Sequence, residues 1–483
     1  MLKFYDSIRN KLADNKIINK LIIIYAFTVL SYQILHLIVP FRQLIVFLHL
    51  SSLSSVLAVV GFGIFVWDLL IDRVFLKTKF VYPLIAILGL MLISTFLRRD
   101  YGIISNLKVI IWQISQLLVI FPLYNRIDKA ALSKLIGKYF FVISVIFVVT
   151  NIIGLVQFFT VTRYEAWYDG GYIRQGFSEG RLFGVYASPH YGSLFVLVLS
   201  AGSVYYAVGA NKLCKKIVCY TAALIHFLYA VASGTRSVII GTAATLCLIS
   251  FLISWKRFGA RKINAVLRAV ICVALAIVVA VGSVGLFTLT DKAMHSILYA
   301  AIDEDEISKE EENLELERTD VDFSNISNHR FEIWKNYFQA VSARVDTLLF
   351  GMSPGSYMSY VKDNFPDLFI VEYIKENYPR MYEKNLIYDT HNAYFGALAT
   401  TGVIGVLMVF TFLIFGFVRS ARFILKSRKV SAAVYAIISV VVFILITSFF
   451  DTDIFFKCTS TSVIFWLTTG MLLKFTSPNE IKE

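Results

Sequence analysis

The residues of this chain best suited to chemistry are His391, within Asp389-Thr390-His391-Asn392-Ala393-Tyr394-Phe395-Gly396, and three arginines, Arg181, Arg236 and Arg330. An imidazole takes up and releases a proton near neutral pH, while a guanidinium keeps its charge and offers a planar fork of donors. His391 stands where the longest polar stretch meets a run of about 25 apolar residues, long enough to cross a bilayer. Arg181 comes just before another such run, Arg236 opens a third, and Arg330 lies in the polar stretch itself. A charge at a membrane boundary is costly unless solvated or paired, so several such groups at one face make a functional candidate. Singly, Arg236 also reads as a snorkelling span-end residue and His391 as a polar helix start; their convergence argues for a shared task.

The elements that must position them are membrane helices. Hydrophobic residues make up 57% and charged residues 16% of the 483, with a mean hydropathy of +0.69, whereas soluble domains carry roughly a quarter charged residues. The apolar residues fall in about twelve blocks, over 18–40, 44–70, 80–97, 103–125, 138–161, 191–209, 216–232, 237–254, 265–289, 393–418, 430–450 and 454–474, and in lipid such runs are helices. Lysine and arginine crowd into the N-terminal tail (Lys3, Arg9, Lys11, Lys16) and into every second connection, at Arg73 to Lys79, Arg126 to Lys138, Lys212 to Lys216, Lys256 to Lys262 and Arg419 to Lys429. That pattern places these connections and both termini in the cytoplasm, with Arg42, Arg98, Arg99 and Arg236 on the outer side. The first block is too long for a removable signal and lacks a small-residue cleavage site, so it reads as the first span. The net charge of +13 follows from this topology; its cations are scattered over loops, not gathered on one face as nucleic-acid binding requires.

The expected fold is an all-α polytopic membrane protein with about twelve transmembrane helices and a large, partly helical outer loop. Its organisation is expected as transmembrane helices 1–5 over 1–161, an outer aromatic and basic loop over 162–190, helices 6–9 over 191–289, the large outer loop over 290–390, helices 10–12 over 391–475, and a cytoplasmic tail over 476–483. The first loop holds Tyr164, Trp167, Tyr168, Tyr172, Arg174 and Arg181. The large loop begins with an acidic run, Asp303 to Glu317, which reads as a solvated surface, since calcium-loop spacing and its glycine are missing. Beyond it, Ser327 or Asn328 is expected to cap a helix with Phe331, Trp334, Phe338 and Val341 on its apolar face and Arg330 in its first turn. That helix is expected to end before Leu348, with a tight turn through Gly351 to Gly355. A second helical stretch, Tyr357 to Tyr382, breaks at Pro366 and Pro379, and its aromatics suit an interface or a sugar-binding wall.

Several of these residues carry a family resemblance. Ser233-Gly234-Thr235-Arg236-Ser237 entering an apolar span, the Arg330 to Trp334 helix followed by Phe350-Gly351 and Pro354-Gly355, and His391-Asn392 with Tyr394, Gly402 and Gly405 together resemble the O-antigen polymerase and ligase superfamily. Arg181-Leu182-Phe183-Gly184 followed by Ser188-Pro189-His190 is similar to that family's element before the middle spans, where Asn more often follows the proline. The resemblance covers about residues 170–410.

It implies a GT-C-like membrane glycosyltransferase of the bacterial cytoplasmic membrane, with its active site on the outer face and no metal or other cofactor. The implied partners are an undecaprenyl diphosphate-linked oligosaccharide donor, a glycan acceptor, membrane lipids and a chain-length regulator. The leaving diphosphate needs fixed positive charge where negative charge accumulates, the role expected of Arg236 and Arg330. His391 is the expected base for the acceptor hydroxyl, giving inversion at the anomeric carbon. Arg181, Arg174, Trp334, Asn392 and Tyr394 complete the expected substrate-binding set. Asp389 either orients the imidazole or caps the next helix.

Polymerase and ligase share these residues; the chain length and the large loop incline the reading towards a polymerase of O-antigen, capsule or exopolysaccharide repeats. A transporter of lipid-linked glycans would show midplane charges and matching broken helices in two halves. Asp451-Thr452-Asp453 reads as a polar turn at the outer face, away from cytosolic nucleotide sugars. No Gly-rich phosphate loop, HExxH or nucleophile elbow occurs. The five cysteines lie in or beside spans without CxxC or Cys/His clustering, so neither a loop disulfide nor a zinc site is expected. His36, His49 and His226 read as hydrogen-bonded packing residues of spans.

Overall fold

In a computed structural model, residues 16–168, 171–178, 180–259, 264–301, 329–383, 390–427, 429–451 and 454–477 are described. The acidic run, Ser327, Asn328 and Asp389 lie outside them. Apolar runs leave no water to satisfy backbone groups, so they close their hydrogen bonds internally as helices. In chain order these are α1 (Lys16–Leu35), α2 (Val39–Phe47), α3 (Leu53–Trp67), α4 (Val81–Leu97), α5 (Ile103–Ile114), α6 (Lys129–Phe159), α7 (Pro189–Gly209), α8 (Leu213–Ala232), α9 (Arg236–Gly259), α10 (Ala265–Ala301), α11 (Arg330–Ser342), α12 (Val345–Phe350), α13 (Tyr357–Asn364), α14 (Phe369–Asn377), α15 (Pro379–Glu383), α16 (Ala393–Lys426), α17 (Ala432–Thr447) and α18 (Ser460–Phe475). Between α6 and α7 lie strands β1 (Arg163–Tyr168), β2 (Gly171–Ser178) and β3 (Arg181–Gly184).

Every apolar block read from the sequence falls on a helix, and the protein is an all-α polytopic membrane protein with, among the described residues, one small sheet. Among the described residues nine helices are long and apolar enough to cross a membrane. A twelve-span arrangement would also use α4, α17 and α18, which have 17, 16 and 16 residues. At about 1.5 Å per residue these are shorter than a hydrocarbon core of roughly 30 Å.

The connections sort to two ends. Those read as cytoplasmic meet one another: Arg126 pairs with Asp68 at 2.6 Å and Asp72 at 2.8 Å, and Asn125 donates to Thr78 at 2.9 Å. Those read as outer do likewise, with Ile38 bridged to Tyr186, and Asn106 at the start of α5 accepting from Gly355 N at 2.7 Å.

The 162–190 segment, read from sequence only as an aromatic and basic loop, is an antiparallel sheet in the order β1-β2-β3. Side chains alternate across a strand, and here Ala166, Gln175 and Phe177 are buried while Arg163, Glu165, Trp167, Tyr172 and Arg174 are exposed. Register sets Trp167 opposite Tyr172 and Glu165 opposite Arg174.

The large loop has a core of its own, built from Ile333, Tyr337, Val341, Tyr357, Val361, Ile370 and Ile374 and closed by Ala399 of α16. This corrects two expectations. The buried face of α11 is Ile333, Asn336, Tyr337, Ala340 and Val341, whereas Phe331 and Phe338 are 65% and 53% exposed. Its N-cap position is His329, in the left-handed region at φ 60° and without a side-chain cap bond. α11 ends at Ser342, before Leu348, and Leu348 to Phe350 belong to the following helix, α12.

Two glycines join this loop core to the bundle. Gly402 breaks α16 with φ 66° and ψ −170°, and a Cβ there would collide with the backbone of Leu349 and Phe350. Gly351, at φ 82°, faces the backbone of Thr400 in the same way. Met352 N donates to Ala399 O at 2.7 Å across the contact. A second tie is ionic: Arg98, at the end of α4, meets Asp346 of α12 at 2.6 Å. Burial pushes the Asp346 carboxyl up, but hydrogen bonds from Arg98 and Arg344 and their charges outweigh it and hold the group at about 2. His49 departs from its expected packing role: it is exposed, in the left-handed region at φ 55°, between α2 and α3.

Gly402→Ala is expected to lower stability by about 1–3 kcal/mol through backbone strain alone, with further loss from the displaced Leu349 backbone, read as a fall in thermal midpoint in detergent. For Asp346 the folded pKa lies below the unfolded value of about 3.9. The tie is therefore fully present above about pH 4 and is lost as pH falls towards about 2. The stability difference between wild type and Arg98→Ala should vanish over that window and nowhere above it.

Candidate active site

The turn entering α16 holds the first of the predicted residues. Asn392 is its N-cap: Oδ1 accepts from Tyr394 N at 2.9 Å and Phe395 N at 3.1 Å, while Nδ2 donates to Phe449 O at 3.1 Å. Ala393 N also donates to Ser448 O at 2.9 Å. The start of α16 is thus bonded to the turn that follows α17. His391, half-buried just before the cap, takes a left-handed φ of 46°, a conformation that costs a non-glycine residue energy and persists where surrounding bonds enforce it.

Arg330 is brought to this turn by its own helix. It is the first residue of α11, and one turn later Trp334 donates from Nε1 to Thr390 O at 2.9 Å and stacks on Phe395 at 5.6 Å and 15°. The indole bond fixes the register of α11 against the residue preceding His391.

Arg236 reaches the cluster through its neighbour. The α8–α9 connection is the short turn Ser233-Gly234-Thr235, with Gly234 at φ 59°. Arg236 then begins α9, and Ser237 Oγ meets His190 Nδ1 at 3.0 Å. His190 follows the Ser188-Pro189 start of α7, where Ser188 caps the helix. The other ring nitrogen, Nε2, lies 3.1 Å from Asp451 Oδ2, a charge contact off the hydrogen-bond axis. Asp451, Arg330 and His391 all act electrostatically on the His190 imidazole. Helices α7, α9 and α17 pack on one another, and α16 packs on α9 and α11. Gly241 of α9 lies tight against Phe443 and Thr447 of α17.

The structure therefore brings His391, Arg330 and Asp451 close to His190, and sets Arg236 one residue before Ser237, which touches the same imidazole. His190 and Asp451 were not placed in the site by sequence reasoning. Their signals were a histidine directly after a helix-starting Ser-Pro and an aspartate directly after an apolar block.

The remaining predicted residues lie elsewhere or do other work. Asn392 spends its side chain on the cap and on Phe449. Tyr394 donates to Leu445 O at 3.0 Å and sits among Phe410, Phe449 and Phe455, as packing inside the bundle. Trp334 orients α11. Arg181 opens β3 with its guanidinium over Phe183 at 5.0 Å, and Arg174 lies on the exposed face of the sheet. His226 is a packing histidine, its nitrogens meeting Ser144 at 3.2 Å and Asn151 at 2.8 Å. Beside the first turns of α16 opens a cavity of about 340 Å³, lined by Trp112, Tyr357, Gly396, Phe455 and Phe456, with Lys457 at its wall. Among the described residues no group of three or more His, Cys, Asp or Glu could hold a metal ion.

A family model described as O-antigen ligase matches residues 221–410. The matched stretch contains Arg236, Arg330, Trp334, His391, Asn392 and Tyr394, and leaves out Arg174, Arg181, His190 and Asp451. Comparison with curated proteins and with solved structures finds no match.

Asn392→Ala is expected to lower stability by about 1–2 kcal/mol, as loss of a helix cap does. Asn392→Asp, which keeps the cap acceptor and loses only the donor to Phe449, should recover part of it in the same thermal unfolding measurement.

Proposed function

With an O-antigen ligase-family segment over residues 221–410 as the premise, we propose that this membrane protein transfers a glycan from undecaprenyl diphosphate to a sugar hydroxyl at the outer face. The observation that supports the reading is a strained, half-buried histidine with Arg330 close by, and Arg236 starting the helix whose next residue, Ser237, meets His190 beside them.

The chemistry follows from their types. The acceptor oxygen attacks the anomeric carbon, its proton passes to the imidazole of His391, and the bond from that carbon to the diphosphate oxygen breaks. Attack opposite the leaving group inverts the anomeric configuration. Negative charge grows on the diphosphate as the bond breaks, and Arg236 and Arg330 hold it with charge-assisted, paired hydrogen bonds. The apolar cavity beside α16 suits the polyprenyl chain, and Lys457 at its wall suits the end that carries charge.

The large loop, with its own core above the site, supports polymerisation of repeat units, since a growing glycan needs a surface on the acceptor side. The name of the matched family favours a second reading, transfer of the finished glycan to lipid A core. Purified protein given one lipid-linked repeat unit, with and without lipid A core, separates them. A ladder formed without core supports polymerase, strict dependence on core supports ligase, and transport across vesicles with no bond formed overturns both.

His391→Ala should reduce transfer by at least about 100-fold, the scale of a lost general base, with the protein still folded in the membrane. Arg236→Lys keeps the charge but loses the planar fork; it should lose most activity, and full activity would contradict paired phosphate binding.

A further inference from the structure

His190 is a buried, titratable side chain that the mechanism above does not use. It stands where α7, α9 and the turn after α17 meet, with Ser237 on one nitrogen and Asp451 beside the other. Its side chain is 14% exposed and that of Asp451 12%. A carboxylate only accepts, so the proton of the neutral ring belongs on Nε2, facing Asp451, and Nδ1 accepts from the Ser237 hydroxyl. Both contacts also survive protonation, because Nδ1 can then donate to the same hydroxyl oxygen.

We propose that His190 is a positioning residue for the reaction: clasped between Ser237 and Asp451, it fixes the first turn of α9 and so aims Arg236 at the diphosphate. The inference rests on the diphosphate-holding role proposed for Arg236. A long, flexible arginine at the first residue of a helix is directed chiefly by where that turn sits. The preceding turn ties Ser233 and Gly234 back to α8, and the Ser237 contact anchors the other side of Arg236. Ser237 is the neighbouring residue and its hydroxyl is the handle. Asp451 completes the clasp, and through Phe449 and Ser448 the same turn is bonded to Asn392 and Ala393, next to His391. One continuous path, Arg236, Ser237, His190, Asp451, Phe449, Asn392, His391, thus spaces the phosphate-holding arginine from the base.

The test is binding of undecaprenyl diphosphate to full-length protein in lipid nanodiscs, comparing wild type, Arg236→Ala, His190→Ala, His190→Asn and the double variant Arg236→Ala with His190→Ala. His190→Ala is expected to weaken binding about tenfold, the scale of one lost hydrogen bond to an orienting group. His190→Asn keeps a polar atom near the Nδ1 position facing Ser237 and should restore most of the affinity. The double variant should bind no more weakly than Arg236→Ala alone, since both changes remove the same contact. Ser237→Ala, which leaves no large cavity, should reproduce the His190→Ala loss if the latter folds poorly. Wild-type affinity in both His190→Ala and Ser237→Ala overturns the inference, as does additive loss in the double variant, which would mean that His190 touches the ligand itself. Unchanged binding in Arg236→Ala overturns instead the diphosphate reading on which the inference rests.

Discussion

The hydrogen bonds that Asn392 and Ala393 make to Phe449 and Ser448 are the constraint on which the rest of the outer end depends. They join the start of α16 to the end of α17 by backbone carbonyls, which offer no choice of position. Three polar side chains lie at short range from that junction. His391 precedes it by one residue, Asp451 follows it by two, and Trp334 ties α11 to it through Thr390. A junction of this kind is expensive to disturb, because each freed carbonyl or amide in a buried place loses its partner without gaining water.

The same junction accounts for the unusual backbone of His391. A left-handed histidine is unfavourable in isolation. Here the cap on one side and the Thr390 bonds on the other, to Trp334 and to Asn392 O at 2.7 Å, leave little freedom between them. Local strain is thereby held by neighbouring bonds, and the imidazole is presented at the head of the helix instead of packing along it.

Hydropathy and charge made the helices legible, since apolar runs have one solution in lipid and basic loops one preferred side. Arg236, Arg330 and His391 drew attention because a charge at a span end is conspicuous. The bonds of Asn392 and Tyr394 were not legible for a physical reason: a polar side chain beside a candidate base serves equally well as a cap or as a bond to a neighbouring helix, and the sequence does not distinguish these uses. His190 and Asp451 were hidden because their meaning arises from three helices far apart in sequence. The sheet over 163–184 could have been found from the alternation of Arg163, Glu165 and Trp167 with Ala166. The apolar face of α11 was misplaced because Phe331 and Phe338 fit a helical stripe as well as Ile333 and Tyr337 do. The acidic run told only of solvation.

Where Gly351 faces the backbone of Thr400 and Thr401, and Gly402 that of Leu349 and Phe350, loop and bundle meet through bare backbone. Such a seam is blind to side chains: it fixes how the loop's folded roof sits over the membrane helices without asking which residues make up either. The roof's outer surface can therefore change in sequence while its height and angle above the helices stay the same. The surface of the loop and the packing of the helices beneath it are in this sense separable properties of one polypeptide, divided along a line drawn by two hydrogen atoms where side chains would otherwise stand.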